Sequence, residues 1–396
     1  CADCPSRSAA DSTAPPRERS GFPVGRSRGP PLSIGDAWTR FLALMRSEWR
    51  QLTAVKASDR RWQMPFGAAL ASGVPLMIGA WFGRLDYGLI SSLGGLVFVY
   101  MPRTPLHHRM VWLMACAFGM TACYALGVMS QFFPPLIALL LAFITILATM
   151  VLRYYGVGPP GSLFFIMAAA IAAYTPGDVL EIPRRVGLFA MGGLLAVMIA
   201  FFYSIHILRR QAPQPVAALP VATFDNVVVD AVVIGIFVAI SLALAQVLQL
   251  ERPYWVPVSC LAVMQEMSLR AVWNKQLQRI AGTALGLLLS LALLSLPFGH
   301  WGVALLVTVL TFAIETLVVR HYGLAVVFIT PLTLLLGEAS GIGSGAPVAV
   351  MLQARFLDTA LGCVVGLAGG ACIHSPGFRS LFGRQLRRLI PRRLTP

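Results

Sequence analysis

Long, continuously apolar runs recur along the chain from Pro65 onward, and they constrain its fold more than any other feature. Each run has about 17 to 23 residues, enough for an α-helix rising 1.5 Å per residue to cross roughly 30 Å of hydrocarbon. Because the runs do not alternate in polarity, they predict helices rather than the strands of an outer-membrane barrel. With 57% hydrophobic and only 12% charged residues, a soluble globule of this length is also excluded.

The order of these runs predicts an all-α polytopic membrane protein with about twelve transmembrane helices in two six-helix halves. The second and fifth helix of each half are expected to be short. We expect disorder over Cys1 to Pro31 and an amphipathic helix on the membrane surface over Ile34 to Val55. The expected regions are 1–64 (basic N-terminus), 65–207 (first half), 208–230 (cytoplasmic linker), 231–373 (second half) and 374–396 (basic cytoplasmic tail).

The chain also repeats itself. Arg153-Tyr154-Tyr155-Gly156 is echoed 167 residues later by Arg320-His321-Tyr322-Gly323, each after the fourth apolar run of its half. Arg185 similarly matches Arg355. Because six spans per half give both halves the same orientation, we expect a parallel repeat about an axis along the membrane normal, with the substrate site between the halves.

The net charge of +15 is explained by where the basic residues fall. Of the 31 Lys and Arg residues, 26 lie in the termini, the linker and the loops on their side, and only 5 lie in the opposite loops. This bias predicts that both termini are cytoplasmic. The charge therefore indicates a lipid bilayer as partner and not a nucleic acid.

Sequence motifs give no support for catalysis. Five of the seven cysteines lie in predicted spans, where a thiol acts as a small apolar side chain, and Cys1 with Cys4 is a single CxxC without a second pair. There is no nucleotide-binding GxxxxGK[ST] loop and no HExxH or GxSxG motif. We expect no catalytic residue, no metal and no cofactor, and we predict that the protein is not an enzyme.

Ionisable residues within the predicted spans are candidates for a functional site, because a charge at the centre of a span costs about 2.5 to 3.5 kcal/mol. Arg355 and Asp358 stand three residues apart on one helix, which favours either a structural ion pair or an arginine that attracts a substrate carboxylate. Arg279 and Arg270 would give the cytoplasmic entrance a positive field that concentrates anions. Arginine is preferred over lysine as a carboxylate contact, because its guanidinium binds bidentately.

Three carboxylates, Glu315, Glu266 and Asp358, are candidates for proton coupling, although a structural, hydrogen-bonded carboxylate remains an equal alternative for the two glutamates. Trp255 and Tyr254 could stack on an aromatic substrate or belong to the interfacial aromatic belt. Small residues at four-residue spacing predict close helix contacts. The glycines expected at such contacts are Gly187, Gly192, Gly282, Gly286, Gly362 and Gly366.

Two motifs of the second half resemble the fusaric acid resistance protein family. They are Tyr254-Trp255-Val256-Pro257-Val258-Ser259 with Gln265-Glu266, Arg270, Arg279, Gly282-Thr283 and Gly286, and Arg355-Phe356-Leu357-Asp358-Thr359 with Gly362 and Gly366. The resemblance implies a bacterial inner-membrane exporter of aromatic and related carboxylic acids that works with a periplasmic adaptor (membrane fusion) protein. The plant aluminium-activated malate transporters, which conduct organic anions, are similar more distantly.

Together these features predict an efflux transporter of small organic acids, with aromatic carboxylic acids as the expected substrates and proton coupling as an open question. A passive organic-anion channel is the closest alternative. A membrane-embedded enzyme would need a cluster of carboxylates or histidines near one membrane face, which the sequence lacks. A scaffold that anchors partners through the basic ends is a further alternative.

Overall fold

The computed structural model describes residues 53–58, 60–219, 223–339 and 347–389, together with Arg46 and Arg50. The predicted disorder over Cys1 to Pro31 lies outside the described residues, as does most of the predicted surface helix over Ile34 to Val55.

Regular secondary structure in the described residues is entirely helical. The helices are α1 (Gln63–Trp81), α2 (Leu85–Gly95, continued by a 3-10 turn over Leu96–Tyr100), α3 (Leu106–Ser130), α4 (Ile137–Tyr154), α5 (Leu163–Tyr174), α6 (Ile182–Leu208), α7 (Asp230–Val247, preceded by a π-helical turn over Asp225–Val229), α8 (Trp255–Met264), α9 (Leu269–Leu294), α10 (His300–Leu317), α11 (Tyr322–Ala339), α12 (Val348–His374) and α13 (Pro376–Leu389). All of them belong to one compact unit, Arg50–Pro396.

Eight of the described helices are long and apolar enough to cross a membrane: α1, α3, α4, α6, α7, α9, α10 and α12. Four further apolar helices, α2, α5, α8 and α11, are shorter, and they are the second and fifth helices that the sequence predicts to be short. With 10 residues, α8 extends only about 15 Å, half the thickness of the hydrocarbon. The chain is therefore an α-helical, multi-pass membrane protein, whereas twelve crossings remain a prediction.

Helix contacts follow the same order in both halves of the chain. Before the linker, α1 packs on α2, α2 on α6, and α3 on both α5 and α6. After the linker, α7 packs on α8, α8 on α12, and α9 on both α11 and α12. Each contact of the first set has a counterpart at the same position in the second set.

Contacts between the two sets are reciprocal as well. Helix α10 packs against α1, and α4 packs against α7, so the fourth helix of each set lies on the first helix of the other. Helices α5 and α8 also touch, as do α11 and α2. The two sets of helices therefore meet along a seam that uses equivalent helices from each side.

Glycines bring the backbones of paired helices together. A Cβ placed on Gly192 of α6 would lie 1.8 Å from the carbonyl oxygen of Ser91 on α2, and one on Gly362 of α12 would lie 2.4 Å from the carbonyl oxygen of Val256 on α8. Gly366 likewise faces the carbonyl oxygen of Cys260, at 2.8 Å. No side chain fits at these contacts without moving the helices apart.

The remaining expected glycine positions divide into two kinds. Gly282 and Gly286 of α9 lie against α11, where their added Cβ atoms would come within 2.6 and 2.7 Å of Gly323 and Thr330. Gly187 is different, because nothing lies within 4 Å of the position of its Cβ. The expectation that Gly187 packs as Gly192 does is therefore wrong, since the first turns of α6 have no neighbour at that point.

The C-terminal region contains a helix that the sequence analysis did not anticipate. Phe378, Phe382 and Leu386 recur every four residues along α13 and pack against the main buried apolar cluster. On its charged side, Arg379 lies 3.2 Å from Asp230 and Arg387 lies 2.8 Å from Asp225. The tail up to Leu389 is thus held against the start of α7.

Replacing Gly192 with alanine should destabilise the protein by about 1 to 3 kcal/mol, the usual cost of overpacking a core. The added methyl group would overlap the backbone of Ser91, which cannot move as a flexible side chain can. Thermal unfolding in detergent measures the effect. Gly187→Ala on the same helix is the matched control, and an equal loss in both variants would contradict the packing assigned to Gly192.

Candidate functional site

A polar cluster surrounds the short helix α8, and all ten residues of this helix are buried. Because α8 is short, the loop that precedes it is drawn into the interior, where Arg252 and Tyr254 keep only 4% and 5% of their surface exposed. Trp255 and Ser259 lie four residues apart and therefore share one face of α8. That face receives two arginines from neighbouring helices.

The first of these is Arg279 of α9, which is 6% exposed. Its Nη1 donates a hydrogen bond to the hydroxyl oxygen of Tyr322 at 2.6 Å, and its Nη2 donates to Oγ of Ser259 at 3.1 Å. Its Nε is buried without a hydrogen-bond partner among the described residues. The charge is thus held in place by two neutral hydroxyl groups and is not neutralised by a carboxylate.

The second is Arg355 of α12, which is 4% exposed. Its guanidinium carbon lies 4.0 Å from the centre of the Trp255 ring, a cation–π contact. Its Nε and Nη1 are buried and have no hydrogen-bond partner in the described part of the chain. Arg355 therefore presents buried N–H groups that a bound anion could accept hydrogen bonds from.

Asp358 lies one turn further along α12 and is fully buried. Both of its carboxylate oxygens are without a hydrogen-bond partner among the described residues, so Arg355 and Asp358 attract each other electrostatically but make no direct hydrogen bond. The reason is the direction of the Arg355 side chain, whose guanidinium lies over Trp255. Arg252 is close enough to act electrostatically on both, and Glu251 acts on Asp358, so this region holds three guanidinium groups and two carboxylates.

Of the other charged candidates, Glu266 lies beside the cluster, because its partner Lys275 stands 4.9 Å from the centre of the Tyr322 ring. Arg270 is exposed near the start of α9. Glu266 pairs with Lys275 at 2.7 Å, and Glu315 of α10 pairs with Arg60, which precedes α1, at 3.2 Å. Two of the three candidate carboxylates thus contact a cation directly, whereas Asp358 has no direct contact of this kind among the described residues.

The sequence analysis did not identify three members of the site. Arg252 was counted only as a basic residue of a loop, although it is buried. Ser259 was noted only within a family motif, and Tyr322 only within the internal repeat. The repeated Arg-His-Tyr-Gly motif was the available signal for Tyr322, because it marked a position shared by both halves.

Corresponding positions in the first half carry different chemistry. At the 170-residue spacing that separates Arg185 from Arg355, the residue that matches Arg279 is Arg109, which is also buried but donates to the carbonyl oxygen of Thr104. Arg185, which the sequence pairs with Arg355, donates to the carbonyl oxygens of Thr175 at 2.9 Å and of Pro176. It also pairs with Glu181 at 2.9 Å. Its guanidinium group is therefore satisfied where that of Arg355 is not.

The structure shows no candidate metal site in the part of the chain that it describes. No group of three or more His, Cys, Asp or Glu side chains is placed there so that it could hold a metal ion.

Comparison with known protein families gives a match in the same region. Residues 238–369 match the sequence model of a family described as fusaric acid resistance protein-like. The match begins within α7, ends within α12 and contains all members of the cluster, so it confirms the resemblance seen in the motifs of the second half. This is a family of membrane proteins with transporter-like character and not an enzyme family.

A longer alignment relates the chain to an uncharacterized membrane protein, YvaC, of Bacillus subtilis (strain 168). The two are 22% identical over an alignment that covers 80% of this chain and 73% of the relative. The similarity therefore extends well beyond the family match into the first half. No solved structure gives a significant match.

Replacing Glu315 with glutamine should destabilise the protein by about 1 to 3 kcal/mol, because Arg60 would lose its carboxylate partner. Asp358→Asn should have little effect or stabilise, since no described hydrogen-bond donor contacts that carboxylate, and the cost of burying its charge opposes its attraction to Arg355 and Arg252. Unfolding of both variants in detergent tests the contrast. A loss for Asp358→Asn as large as that for Glu315→Gln would contradict the lack of a direct partner for Asp358 among the described residues.

Proposed function

We propose that this membrane protein, whose second half matches the fusaric acid resistance protein-like family, exports small organic acids across a bacterial inner membrane. The observation that carries the proposal is the buried cationic cluster of Arg279 and Arg355, with N–H groups that have no partner in the described part of the chain. An unsatisfied buried charge is costly, so a site of this kind is suited to a ligand of opposite charge.

The chemistry of the cluster favours a carboxylate attached to an aromatic ring. Guanidinium groups bind carboxylates with short, charge-assisted hydrogen bonds. Trp255 and Tyr254 add aromatic surface directly beside Arg355, and their rings lie 5.4 Å apart. A substrate with an acid group and a ring would satisfy both features at once.

For the architecture, we propose twelve crossings in two parallel six-helix repeats with both termini in the cytoplasm. The repeated order of helix contacts and the reciprocal seam support the duplication. The excess of Lys and Arg on the side of the termini supports the orientation. The four short helices suit this arrangement, because helices that end within the membrane do so where they line a polar interior.

The cluster sits within the second half and borders the seam, where Tyr254 lies 6.1 Å from Tyr174 of α5. We therefore propose a site formed by α8, α9, α11 and α12, with the first half closing it from one side through α5. The halves would then contribute unequally to binding.

A periplasmic adaptor protein is the proposed partner, and this proposal rests on the family resemblance.

A passive organic-anion channel is the second candidate. It is favoured by the ion pairs of Glu266 and Glu315, because a carboxylate held by a cation is poorly suited to exchanging protons during transport. Asp358 is the carboxylate on which proton coupling would then depend.

In liposomes containing the full-length protein, Arg355→Gln and Arg279→Gln should each lower the transport of benzoate at least tenfold. Each variant removes charge-assisted hydrogen bonds worth about 1.5 to 3 kcal/mol. Initial uptake rates at several benzoate concentrations provide the measurement. Arg384→Gln, which removes an exposed charge of α13, is the matched control. Wild-type rates in both cluster variants would exclude the cluster as the anion site.

If export is coupled to protons through Asp358, a pH gradient should accelerate benzoate transport by the wild-type protein but not by Asp358→Asn. The asparagine cannot carry the proton, yet it fits the same buried space. Rates with and without a gradient, measured in the same vesicles, separate the two candidates. A wild-type protein that ignores the gradient would favour the channel.

A further inference from the structure

A cavity of about 460 Å³, open to the surface, lies between the ends of α3, α4 and α5. Its volume falls within the range of about 300 to 1,000 Å³ that is typical of small-molecule sites. The walls are mainly apolar, with Phe132, Pro134 and Ile137 on one side and Tyr174 and Gly177 on the other. None of these residues belongs to the cationic cluster.

Tyr174 connects this cavity to the cluster. Its ring lines the cavity, and it also lies 6.1 Å from the ring of Tyr254, which in turn lies 5.4 Å from Trp255. Its hydroxyl oxygen accepts a hydrogen bond from Nε2 of Gln246 at 2.7 Å, which fixes the ring at the seam between the halves. Three aromatic rings thus lead from the site of Arg355 to the cavity wall.

Two polar side chains lie at the walls of the cavity, and one of them suits an anion. Nε2 of Gln131, a lining residue, is buried and has no hydrogen-bond partner among the described residues. Behind the opposite wall, the guanidinium group of Arg185 donates to the carbonyl oxygens of Thr175 and Pro176. Because Arg185 is also paired with Glu181, it supports this wall and leaves no free charge, so the cavity combines an aromatic surface with one unused amide donor.

We propose that this cavity is a second binding site, which holds the aromatic ring of an organic acid on the outer side of the membrane. The ring would pass from Trp255 along Tyr254 and Tyr174 as the acid leaves the cluster. This inference rests on the proposed export function for its direction. Binding of an aromatic acid in the cavity can nevertheless be measured without transport.

Protection of an introduced thiol tests the binding directly. Phe132→Cys places a thiol in the cavity wall, and a membrane-impermeant maleimide reports its accessibility in the full-length protein in nanodiscs, after subtraction of the wild-type background. Benzoate should slow this labelling at least threefold. Leu180→Cys is the matched control, because Leu180 is 86% exposed and does not line the cavity, so benzoate should leave its labelling unchanged.

The same protection should persist, at higher benzoate concentration, when Phe132→Cys is combined with Arg355→Gln, because the cavity does not depend on the cluster for its walls. Equal labelling with and without benzoate in both backgrounds would overturn the proposal. A second result would also overturn it: labelling that is slow, does not change with benzoate and becomes faster when lipid is removed. A lipid chain would then occupy the cavity.

Tyr174→Ala should weaken benzoate binding at the cavity by roughly two- to tenfold, the range expected for one aromatic contact, whereas Tyr174→Phe should retain it. The binding of propanoate, which has no ring, should change little in either variant. A wild-type protein that transports no acid but shows benzoate protection would refute the export function and leave the cavity site standing. Benzoate transport without protection of the introduced thiol would refute the cavity site and leave the export function standing.

Discussion

The close contact between α12 and α8 is the constraint on which the candidate site depends. Gly362 and Gly366 allow the two backbones to touch, and this contact buries a helix of only ten residues on every side. Arg355 precedes the contact by two turns, so its side chain reaches the first residue of α8, Trp255. Because α8 is so short, the polar loop before it also lies within the interior, and this loop carries Arg252 and Tyr254.

The hydrogen bonding of buried arginines distinguishes the two halves more clearly than their helix order does. In the first half, Arg109 donates to the carbonyl oxygen of Thr104 and Arg185 donates to two carbonyl oxygens and a carboxylate, so these cations support local structure. In the second half, Arg279 and Arg355 are buried to the same degree as Arg109, but they keep N–H groups without a partner among the described residues.

Hydropathy alone predicted the helical membrane class, the order of the helices and the shortness of α2, α5, α8 and α11, because these depend on local composition. The arginines of the site were predicted from the cost of charge in a span. Their partners were not, because the choice of Arg355 between Asp358 and the Trp255 ring depends on side-chain direction. Arg270 and Arg279 looked alike in sequence, and only tertiary contacts separate the exposed residue from the buried one. The helix α13 was missed because its many arginines hid a repeat of three apolar residues.

Asp230, at the start of α7, lies between two guanidinium groups that come from different parts of the chain. Arg379 of α13 lies 3.2 Å from one of its oxygens, and Arg153, at the end of α4, donates to the other at 2.5 Å. The first of these contacts ties the last helix of the second half to its first helix, so the two would rotate as a single body. The second contact crosses the seam and would have to break whenever the halves part at that end. One carboxylate therefore stabilises the second half internally and also forms a contact between the halves that any separation at that end would break.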